Sequence, residues 1–542
     1  MRAPPGFRGI FRVDDVARAV YAEAAGIARV MPSAIAVPVD GIDVALLVRW
    51  AAEHGTPLIP RGSGSGMAGG AVGAGVIVDL GRLRAVGAVN AETRTVHVGA
   101  GAVRGVVDAA ARRHGLRFPV DPSSGRFCTV GGMAATNAAG ARTLRYGPTR
   151  RWVTALDCVF DDGATATVRR GDGSGQAQAA ALRRVHAELL PALRATSPAS
   201  HRLLAHTDVR KESSGYAVGE LARSGELVDL LVGSEGTLAL FTGVELALIP
   251  VPGATSSLLA AFPSLESAVE GALRARESGA AACELLDRTF LDVAALGAGG
   301  RVLPAGTEAA LLVEIEDHST ALVTERARTL DVELVRAGAT TVRVALDADT
   351  EESMWELRHA ASPILSRLDP ALRSMQFIED AAVPPARLPE YVRGVRSALQ
   401  RWNVRGVIFG HAGDAHVHVN PLVDISRADW RAAVDGILEE VTALVASLGG
   451  TLAGEHGDGR LRTPLLGRVW PAEAMEWFRL VKHTFDPAGL LNPGVKVALA
   501  GQAPIADVKY DPTLAALPGA ARRALDTVER ERAYDRPRLD ML

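Results

Sequence analysis

The sequence predicts an α+β protein with at least two domains. The chain has 542 residues, which is more than a single hydrophobic core usually organises. Short apolar runs typical of strands alternate along it with amphipathic stretches typical of helices. A Pro- and Gly-rich segment, residues 250–253, interrupts this pattern. We therefore expect an N-terminal helical segment (1–30), a first domain (31–252), a second domain (253–500) and a C-terminal tail (501–542) without evident chemistry.

The individual elements follow from hydrophobic periodicity and from the residues that end each run. In the first domain, the helix predicted for residues 43–55 has an apolar stripe and ends at Gly55. The predicted strands of this domain are 34–39, 57–60, 76–80 and 95–101, and a further helix is 103–115. In the second domain, the predicted strands are 256–262, 309–317 and 340–346, and the predicted helices are 264–279 and a stretch ending near 336.

Composition excludes several classes of function. The 59 basic and 62 acidic side chains give a net charge of −3, which provides no electrostatic reason to expect nucleic acid as a partner. Cys128, Cys158 and Cys283 lie far apart, so no cysteine pair is placed to hold a metal or to form a redox motif. The sequence contains no signal-peptide core and no apolar run of about 18 residues. We expect a cytoplasmic protein, at most peripheral at a membrane.

A glycine-rich segment, "IPRGSGSGMAGGAV" (59–72), contains the pattern G-x-G-x-x-G from Gly64 to Gly69. A nicotinamide-binding Rossmann loop requires a helix directly behind it, because the pyrophosphate sits at that helix N-terminus. Here the strand-like "VIVDL" (76–80) follows instead, which argues against a nicotinamide site. Consecutive glycines still let backbone N–H groups surround an anion. The loop therefore predicts phosphate binding without a helix dipole.

Two further segments support a backbone-lined ligand site. They read "PVDPSSGRFCTVGGMAATNAAG" (119–140) and "VGSEGTLAL" (232–240). With the glycine loop and "YGPTRRWV" (146–153), they resemble the PCMH-type FAD-binding domain of the vanillyl-alcohol-oxidase superfamily. The resemblance covers about residues 31–252 and implies two α+β subdomains that hold an extended FAD. We expect the FAD to be non-covalent, because the first loop has no histidine.

The same resemblance implies which residues contact FAD. The residues expected at the pyrophosphate are Arg61, Gly62, Ser63, Gly64, Ser65, Gly66 and Met67. Those expected along the flavin and ribose are Pro119, Asp121, Thr129, Gly131, Gly132, Asn137, Gly140 and Ala141. Those expected on the adenine side are Glu235 and Gly236, and Asn492 is placed with the cofactor-binding residues.

A second group of polar residues lies in "RGVIFGHAGDAHVHVNPL" (405–422) and "TLAGEHGDGR" (451–460). The first segment predicts two strands and a turn, with His416, His418 and Asn420 on one strand face and His411 beside them. A helix predicted from about 427 to 448, with Ser426 as N-cap, then leads to Glu455 and His456. A histidine on a strand is usually a satisfied polar residue. Several buried together are costly unless paired, and His, His and Glu are typical ligands of catalytic zinc.

These motifs, with "FDPAGLLNPGVKV" (485–497), resemble the C-terminal FAD-linked oxidase domain of D-2-hydroxyacid dehydrogenases. This family includes D-lactate dehydrogenases, glycolate oxidase subunits and D-2-hydroxyglutarate dehydrogenases. The resemblance implies a ferredoxin-like α+β substrate domain with an antiparallel sheet. It makes His411, His418 and Glu455 metal ligands and His456 the catalytic histidine. Arg358, in "MWELRHAASPIL", would bind the substrate carboxylate. Zn²⁺ is the expected metal, with Mn²⁺ and Fe²⁺ as alternatives.

Two departures from the family pattern leave alternatives open. Many members have Gly-Asn in the turn where this chain has Ala415-His416, so His416 competes as a metal ligand. Ile378 occupies the position of a lysine that binds the distal carboxylate in hydroxyglutarate enzymes, which disfavours that substrate. The surrounding "QFIEDAAVP" (376–384) and "DVKYDPTL" (507–514) are closer to the FAD part of fused flavin and iron–sulfur oxidoreductases.

The expected function is the FAD- and metal-dependent oxidation of a D-lactate-like D-2-hydroxy acid to the 2-keto acid. Electrons would pass to an external acceptor: a quinone, a cytochrome, an electron-transfer flavoprotein or a separate iron–sulfur subunit. A homodimer is left open. Two other classes are also open: a metal-free alcohol oxidase or ether-lipid synthase of the same superfamily, and a non-catalytic flavoprotein subunit of an electron-transfer complex.

Overall fold

The computed structural model describes residues 1–172, 179–206, 208–295, 303–345, 347–365 and 371–542. The described strands form two four-stranded sheets, a seven-stranded sheet and a two-stranded ribbon. The predicted α+β class is therefore confirmed. The strands are β1 Ile10–Arg12, β2 Ala34–Val37, β3 Leu58–Arg61, β4 Val76–Asp79, β5 Thr95–Gly99, β6 Leu116–Arg117, β7 Val153–Val159, β8 Thr165–Arg169, β9 Leu240–Ala247, β10 Ile249–Pro250, β11 Ala254–Phe262, β12 Ala282–Asp287, β13 Ala309–Asp317, β14 Thr341–Ala345, β15 Leu372–Ser374, β16 Arg405–Gly410 and β17 His418–Asp424.

Helices connect these strands and cover the sheets. The helices are α1 Asp15–Val20, α2 Gly41–His54, α3 Arg104–Arg112, α4 Val130–Thr136, α5 Thr143–Tyr146, α6 Ala180–Arg184, α7 Leu190–Ala195, α8 Pro198–Arg202, α9 Val218–Ser224, α10 Leu227–Leu231, α11 Leu265–Glu277, α12 Arg288–Ala294, α13 Thr320–Arg336, α14 Ala348–Leu365, α15 Leu388–Arg401, α16 Trp430–Ser447, α17 Gly459–Arg462, α18 Leu466–Val469, α19 Ala472–Phe485 and α20 Gly519–Glu531.

The first sheet has the order β1-β2-β4-β3 and carries the glycine-rich loop between β3 and β4. Strand β4 is parallel to both β2 and β3, and β1 joins β2 antiparallel. The first 30 residues therefore supply a strand as well as the short helix α1. Asp40 accepts two backbone hydrogen bonds at the start of α2, and Gly55, at φ 60°, ends it as the sequence predicted.

The second sheet is antiparallel, with the order β5-β9-β7-β8. Helix α4 packs against it through Val130, Met133 and Ala134, which belong to the same buried cluster as Val98 and Val244. No helix separates the glycine-rich loop from β4. The arrangement that a Rossmann loop requires is thus missing at this position, as the sequence indicated.

The seven-stranded sheet is antiparallel throughout, with the order β14-β11-β13-β12-β16-β17-β15. Successive residues of β11 point to opposite faces. Leu258 joins the core that contains α11, α13, α15 and α16, whereas Leu259 joins the core that contains α12 and α14. The sheet is thus covered on both faces, and the predicted antiparallel architecture is confirmed.

The predicted start of helix α16 is wrong by about one turn. The helix begins at Trp430 rather than near 427, and Ser426 does not cap it. The Ser426 hydroxyl donates instead to the carboxylate of Asp424, at 2.6 Å, within a local turn. Short polar side chains compete with helix formation in this way.

Arginines of the first half of the chain clamp carboxylates on β13. Nε and Nη2 of Arg142 each lie 2.6 Å from an oxygen of Glu314, and Arg142 also contacts Asp121 at 2.6 Å. Arg117 binds Glu316 through two nitrogens, at 2.9 and 2.6 Å. Because these carboxylates are buried, the pairs fix the seven-stranded sheet against the N-terminal half.

Replacing Arg142 by Ala should destabilise the protein by ~3–5 kcal/mol, since it leaves the buried Glu314 carboxylate without its cation. Burial raises the pKa of Glu314 to about 7 even beside Arg142. An unpaired carboxyl is neutral at low pH, so the loss should be smaller near about pH 5.5 than near about pH 8.

Urea unfolding followed by tryptophan fluorescence at both pH values measures this effect. Arg223→Ala is the control, because Arg223 pairs with Glu220 on the surface of α9 and its side chain is 72% exposed. It should change the free energy of unfolding by less than ~1 kcal/mol. Equal losses in the two variants would show that the Arg142 clamp does not stabilise the junction.

Candidate active site

A cavity of about 970 Å³ lies where the two N-terminal sheets meet the seven-stranded sheet. It is lined by residues from both halves of the chain, and seventeen of the residues predicted to bind cofactor or metal or to act in catalysis contribute to it. These are Arg61, Gly62, Ser63, Gly64, Ser65, Gly66, Met67, Thr129, Gly131, Gly132, Glu235, Gly236, Arg358, His411, His418, Glu455 and His456.

The glycine-rich loop turns its backbone toward this cavity. A Cβ atom added at Gly62 would lie 2.2 Å from Thr129 Oγ1, and Gly64 has φ +72°, so neither position tolerates a side chain easily. A Cβ at Gly66 would meet no atom within 4 Å, because this glycine faces open space. The loop therefore fits a ligand that approaches the backbone closely.

Arg61, at the end of β3, holds the glycine-rich loop through hydrogen bonds of its guanidinium. Its guanidinium donates to the carbonyls of Tyr21 (3.1 Å), Ala71 (3.3 Å) and Glu23 (2.9 Å). The residue is almost fully buried. The buried guanidinium is thus stabilised by three backbone carbonyl groups, and these hydrogen bonds hold the loop in place.

Six predicted cofactor residues do not line the cavity: Pro119, Asp121, Asn137, Gly140, Ala141 and Asn492. Their contacts support its wall. Asp121 pairs with Arg142, and the Gly140 carbonyl accepts from Lys211 at 3.0 Å. The Asn492 amide donates to the carbonyls of Gly70 (3.1 Å) and Glu235 (2.8 Å), which ties the glycine loop to the segment that contains Glu235.

Glu235 connects the N-terminal half to the segment that contains Glu455 and His456. It adopts the left-handed backbone conformation, with φ 53°. Its carboxylate accepts from the backbone N–H groups of Asp458 (2.7 Å) and Gly459 (3.0 Å) and contacts Lys496 Nζ at 3.0 Å. These partners fix the loop 455–459 at the edge of the cavity.

His411, His418 and Glu455 converge although they come from three separate segments. His411 follows β16, His418 begins β17, and Glu455 precedes α17. Oε1 of Glu455 lies 3.3 Å from His411 Nε2 and 3.2 Å from His418 Nε2. Together with a ring nitrogen of His416, these donor atoms all lie within 4.8 Å of one another, close enough to share one cation.

The predicted position of His416 on the strand is wrong. Strand β17 begins at His418, and His416 follows a short 3₁₀ turn, Ala412–Asp414. Ala415, at φ 55°, turns the backbone between them. His416 is completely buried and does not line the cavity, whereas His418 and Asn420 do.

Outer hydrogen bonds orient two of the imidazoles toward Glu455. His411 Nδ1 lies 2.5 Å from Oε1 of Glu284, and His418 Nδ1 donates to the Glu379 carbonyl at 3.0 Å. In both rings Nε2 is left facing the shared carboxylate. Acceptors of this kind set the tautomer and direction of metal-binding histidines.

The carboxylates around the cluster favour positive charge on two of the imidazoles, whereas burial lowers the pKa of the other two, His416 and His418. Burial lowers the pKa of His411, but the charges of Glu284 and Glu455 and the hydrogen bond to Glu284 together outweigh this effect and raise the pKa to about 9. Burial likewise lowers the pKa of His456, but Asp380 and Glu379 raise it to about 9. Protons or a metal cation can supply this charge, so the donor set and its electrostatics fit a divalent metal.

His456 and Arg358 stand beside the cluster at the cavity surface. The His456 ring is parallel to that of His418, with the centroids 5.2 Å apart, and its Nδ1 lies 3.4 Å from a carboxylate oxygen of Glu379. Arg358 Nε donates to Glu284 at 2.6 Å, and the guanidinium lies over the Phe409 ring. Glu284 thereby links Arg358 to His411.

Four residues of the site escaped the sequence analysis. Glu284 could have been noticed, because it is the one charged residue among the apolar residues of "AACELL" (281–286). Glu379 and Asp380 lie in a segment that was examined only for Ile378, and Ile378 itself is buried in the core. Lys211, whose Nζ lies 3.1 Å from Glu455 Oε2, follows no recognisable pattern.

The C-terminal tail, in which the sequence shows no evident chemistry, reaches the cavity. Tyr534 packs against Phe127 with the ring centroids 5.2 Å apart, and Arg538 donates to the Ser63 carbonyl in the glycine loop at 3.1 Å. The tail is thus attached to the loop that faces the cavity. The tail residues that line the cavity are Tyr510, Asp526, Glu529, Arg530, Arg532 and Tyr534.

Comparisons with known proteins identify the family. Residues 32–169 match the family described as "FAD binding domain", and residues 251–495 match "FAD linked oxidases, C-terminal domain". D-lactate dehydrogenase of Archaeoglobus fulgidus is 31% identical over 462 residues, which cover 84% of this chain and 89% of that protein. The chain belongs to this FAD-linked oxidase family. The family predicted from the sequence motifs is thereby confirmed.

Two further similarities agree with this assignment. The glycolate oxidase subunit GlcD of Bacillus subtilis is 27% identical to this FAD-linked oxidase over 472 residues, covering 86% of this chain and 88% of the subunit. The solved structure of 4-ethylphenol oxidase from Gulosibacter chungangensis superposes with a TM-score of 0.66 at 15% identity, covering 90% and 94% of the two chains. It shows that the overall fold is shared. No helix in the described ranges is long and apolar enough to cross a membrane.

Replacing Tyr534 by Ala should weaken FAD binding by roughly 2- to 10-fold, because the aromatic contact with Phe127 is lost and the tail is loosened from the glycine loop. Fluorescence titration of the apoprotein with FAD, together with the ratio of flavin to protein after gel filtration, measures the effect. Arg536→Ala is the control, since the side chain of Arg536 is 61% exposed. An unchanged FAD affinity in Tyr534→Ala would contradict a role of the tail in the cofactor site.

Proposed function

We propose that this chain oxidises a D-lactate-like D-2-hydroxy acid to the corresponding 2-keto acid, using non-covalent FAD and a divalent metal. The observation that carries this proposal is the single cavity that joins the glycine loop of the FAD-binding domain to the cluster of His411, His418 and Glu455. The substrate class is supported by the names of its relatives, D-lactate dehydrogenase and a glycolate oxidase subunit.

The residues that would hold each group lie on separate walls of the cavity. Loop residues 62–67 and the start of α4 would hold FAD, and His411, His418 and Glu455 would hold the metal, with Zn²⁺ proposed first and Mn²⁺ or Fe²⁺ as alternatives. When bound, FAD supplies an acceptor for the hydride and the metal supplies a Lewis acid for the substrate hydroxyl.

His456 is the proposed base for the hydroxyl proton. Its side chain is 23% exposed at the cavity, and its Nδ1 is engaged by the carboxylates of Glu379 and Asp380, each 3.4 Å away. Nε2, which lies 3.6 Å from Oε1 of Glu455, would accept the proton. The raised pKa of His456 keeps the ring protonated near neutral pH unless a bound metal supplies the positive charge instead, so the proposed base requires the metal. The two carboxylates would stabilise the imidazolium that forms, as acidic partners of catalytic histidines do.

Arg358 is the proposed partner of the substrate carboxylate. It lines the cavity on the same wall as His411, and Glu284 fixes its direction through Nε. A guanidinium held in this way recognises a carboxylate with little loss of side-chain entropy on binding. The carboxylate contact and the proton acceptor would together orient the hydroxyl-bearing carbon inside the cavity.

The proposal includes an external electron acceptor. The chain has three cysteines, and all are buried and free. They provide no set of ligands for an iron–sulfur cluster. Electrons would pass to a quinone, a cytochrome, an electron-transfer flavoprotein or a separate iron–sulfur subunit. The description of one relative as an oxidase subunit supports a multi-component arrangement.

Anaerobic mixing of the FAD-loaded protein with D- and L-enantiomers of lactate and other 2-hydroxy acids tests the reaction. We expect bleaching of the flavin absorbance by at least one D-2-hydroxy acid and not by its L-enantiomer. Prior removal of metal with a chelator should abolish bleaching. Bleaching that survives complete metal removal would indicate a metal-free alcohol oxidase, and no bleaching by any hydroxy acid would favour a non-catalytic electron-transfer subunit.

Glu455→Gln and His456→Ala should each slow flavin reduction by ~10²-fold or more while leaving the flavin spectrum of the bound cofactor intact. The two variants should differ in metal content: Glu455→Gln loses metal because a ligand is removed, and His456→Ala retains it. Elemental analysis and stopped-flow absorbance measure both effects. His483→Ala, on the exposed side of α19, is the control. Normal turnover by either site variant would refute the proposed roles.

A further inference from the structure

We propose that His416 is a fourth protein ligand of the divalent metal, binding through Nδ1 from the side opposite the cavity. This inference rests on the metal site proposed above. It assigns three imidazoles and one carboxylate to the centre, rather than two imidazoles and one carboxylate.

His416 lies within the cluster although it is sealed from the cavity. Its exposed fraction is 0%, and its ring centroid is 5.5 Å from that of His411 and 4.8 Å from that of His418. A ring nitrogen of His416 lies within 4.8 Å of the donor atoms of His411, His418 and Glu455. The imidazole is therefore close enough to share a cation with them.

The hydrogen bonds of His416 determine which nitrogen is available. Nε2 lies 3.0 Å from Oδ1 of Asp380, and the same carboxylate accepts from the backbone N–H of His456 at 2.9 Å. A carboxylate that acts as acceptor places the proton on Nε2, so Nδ1 keeps its lone pair. In His411 and His418, one ring nitrogen is likewise held by an outer acceptor, and the other faces Glu455.

Nδ1 of His416 is buried and has no hydrogen-bond partner among the described residues. An unsatisfied buried polar atom is unfavourable, and native proteins rarely retain one without a reason. A purely structural role, in which His416 only bridges to Asp380, accounts for Nε2 and leaves Nδ1 unexplained. A metal ion accounts for both nitrogens.

Packing prevents the ring from turning away. A Cβ atom added at Gly454 would lie 2.8 Å from both Cδ2 and Nε2 of His416, so this glycine allows the ring to sit directly against the backbone. The left-handed turn at Ala415 places the residue there. The imidazole is thus held in place before any metal binds, as expected for a preorganised ligand.

A fourth protein ligand changes the coordination number that the metal reaches when substrate binds. His416 is on the sealed side, and His411, His418 and Glu455 face the cavity. A substrate that also coordinates would raise the coordination number above four. Such a site favours ions that accept five or six donors, such as Mn²⁺, Fe²⁺ or an expanded Zn²⁺ centre, over a closed tetrahedral one.

X-ray absorption spectroscopy of the FAD-loaded, metal-loaded wild-type protein tests this directly. We expect three imidazole ligands, and two would overturn the proposal without any substitution. In His416→Gln the imidazole number should fall to two. Chelator competition should show that metal affinity decreases by at least ~10-fold in this variant. His206→Gln is the matched control, because His206 is a largely buried histidine that contacts Glu212 away from the site. It should retain wild-type affinity.

His411→Gln separates this inference from the proposed function. If His411→Gln loses metal and His416→Gln retains wild-type affinity, His416 is not a ligand and the metal site itself stands. If neither the wild type nor any variant binds metal, the proposed function fails and this inference fails with it. The flavin-to-protein ratio of each variant identifies any that fail to fold.

Discussion

The carboxylate of Glu455 joins the two halves of the molecule at the point where the chemistry is proposed. One oxygen faces His411 and His418, which belong to the seven-stranded sheet. The other lies 3.1 Å from Lys211, a fully buried lysine of the N-terminal half. A buried carboxylate with this many partners can ionise, and the pKa of Glu455 is held well below its usual range, since Lys211 and His411 outweigh the effect of burial.

Other buried carboxylates with several hydrogen-bond partners hold the outer parts of the site. Asp380 receives the backbone N–H of His456 and the imidazole of His416, and Glu235 receives the backbone of 458–459. Each carboxylate fixes a glycine-rich segment that has few side chains of its own to pack. Several residues here also adopt left-handed backbone conformations, among them Glu235, Ala415 and Asn492. Such strained positions persist where surrounding contacts hold the backbone.

Much of the fold could be predicted from the sequence, because the signals that mark strands, helix ends and loops lie within short stretches of residues. Strand alternation, the Gly55 stop and the absence of a helix behind the glycine loop all follow from short windows. The convergence of His411, His418 and Glu455 was suggested by motif resemblance and is visible in the geometry. The position of His416 was missed because a 3₁₀ turn delays the start of β17 by two residues. The alternation of side chains between the two faces of a strand predicts orientation only for residues that lie within the strand.

Partners supplied from distant segments could not be predicted. Lys211 and Glu284 reach the site through tertiary contacts between elements far apart in sequence. The apolar neighbours of Glu284 mark it as a buried charge but do not indicate its partners, and the local sequence of Lys211 marks nothing. The contact of the tail with the cavity could not be predicted for a related reason, since its Ala- and Arg-rich composition reflects α20, which buries Ala521 and Ala524. Tyr534 and Arg538, which contact Phe127 and the glycine loop, follow that helix, and Arg538 begins a short 3₁₀ turn.

The attachment of the tail has a consequence for biosynthesis. Arg522 pairs with Glu23, Ala28 bridges to Val508, and Arg538 donates to Ser63. These contacts join the segment 508–538 to the segment 23–63 beside the cavity. Domains usually fold as they emerge from the ribosome, N-terminal first. Here the segment 510–534, which contributes six residues to the cavity lining, is translated after both domains. We therefore expect tight FAD binding to be acquired only after this segment has been translated.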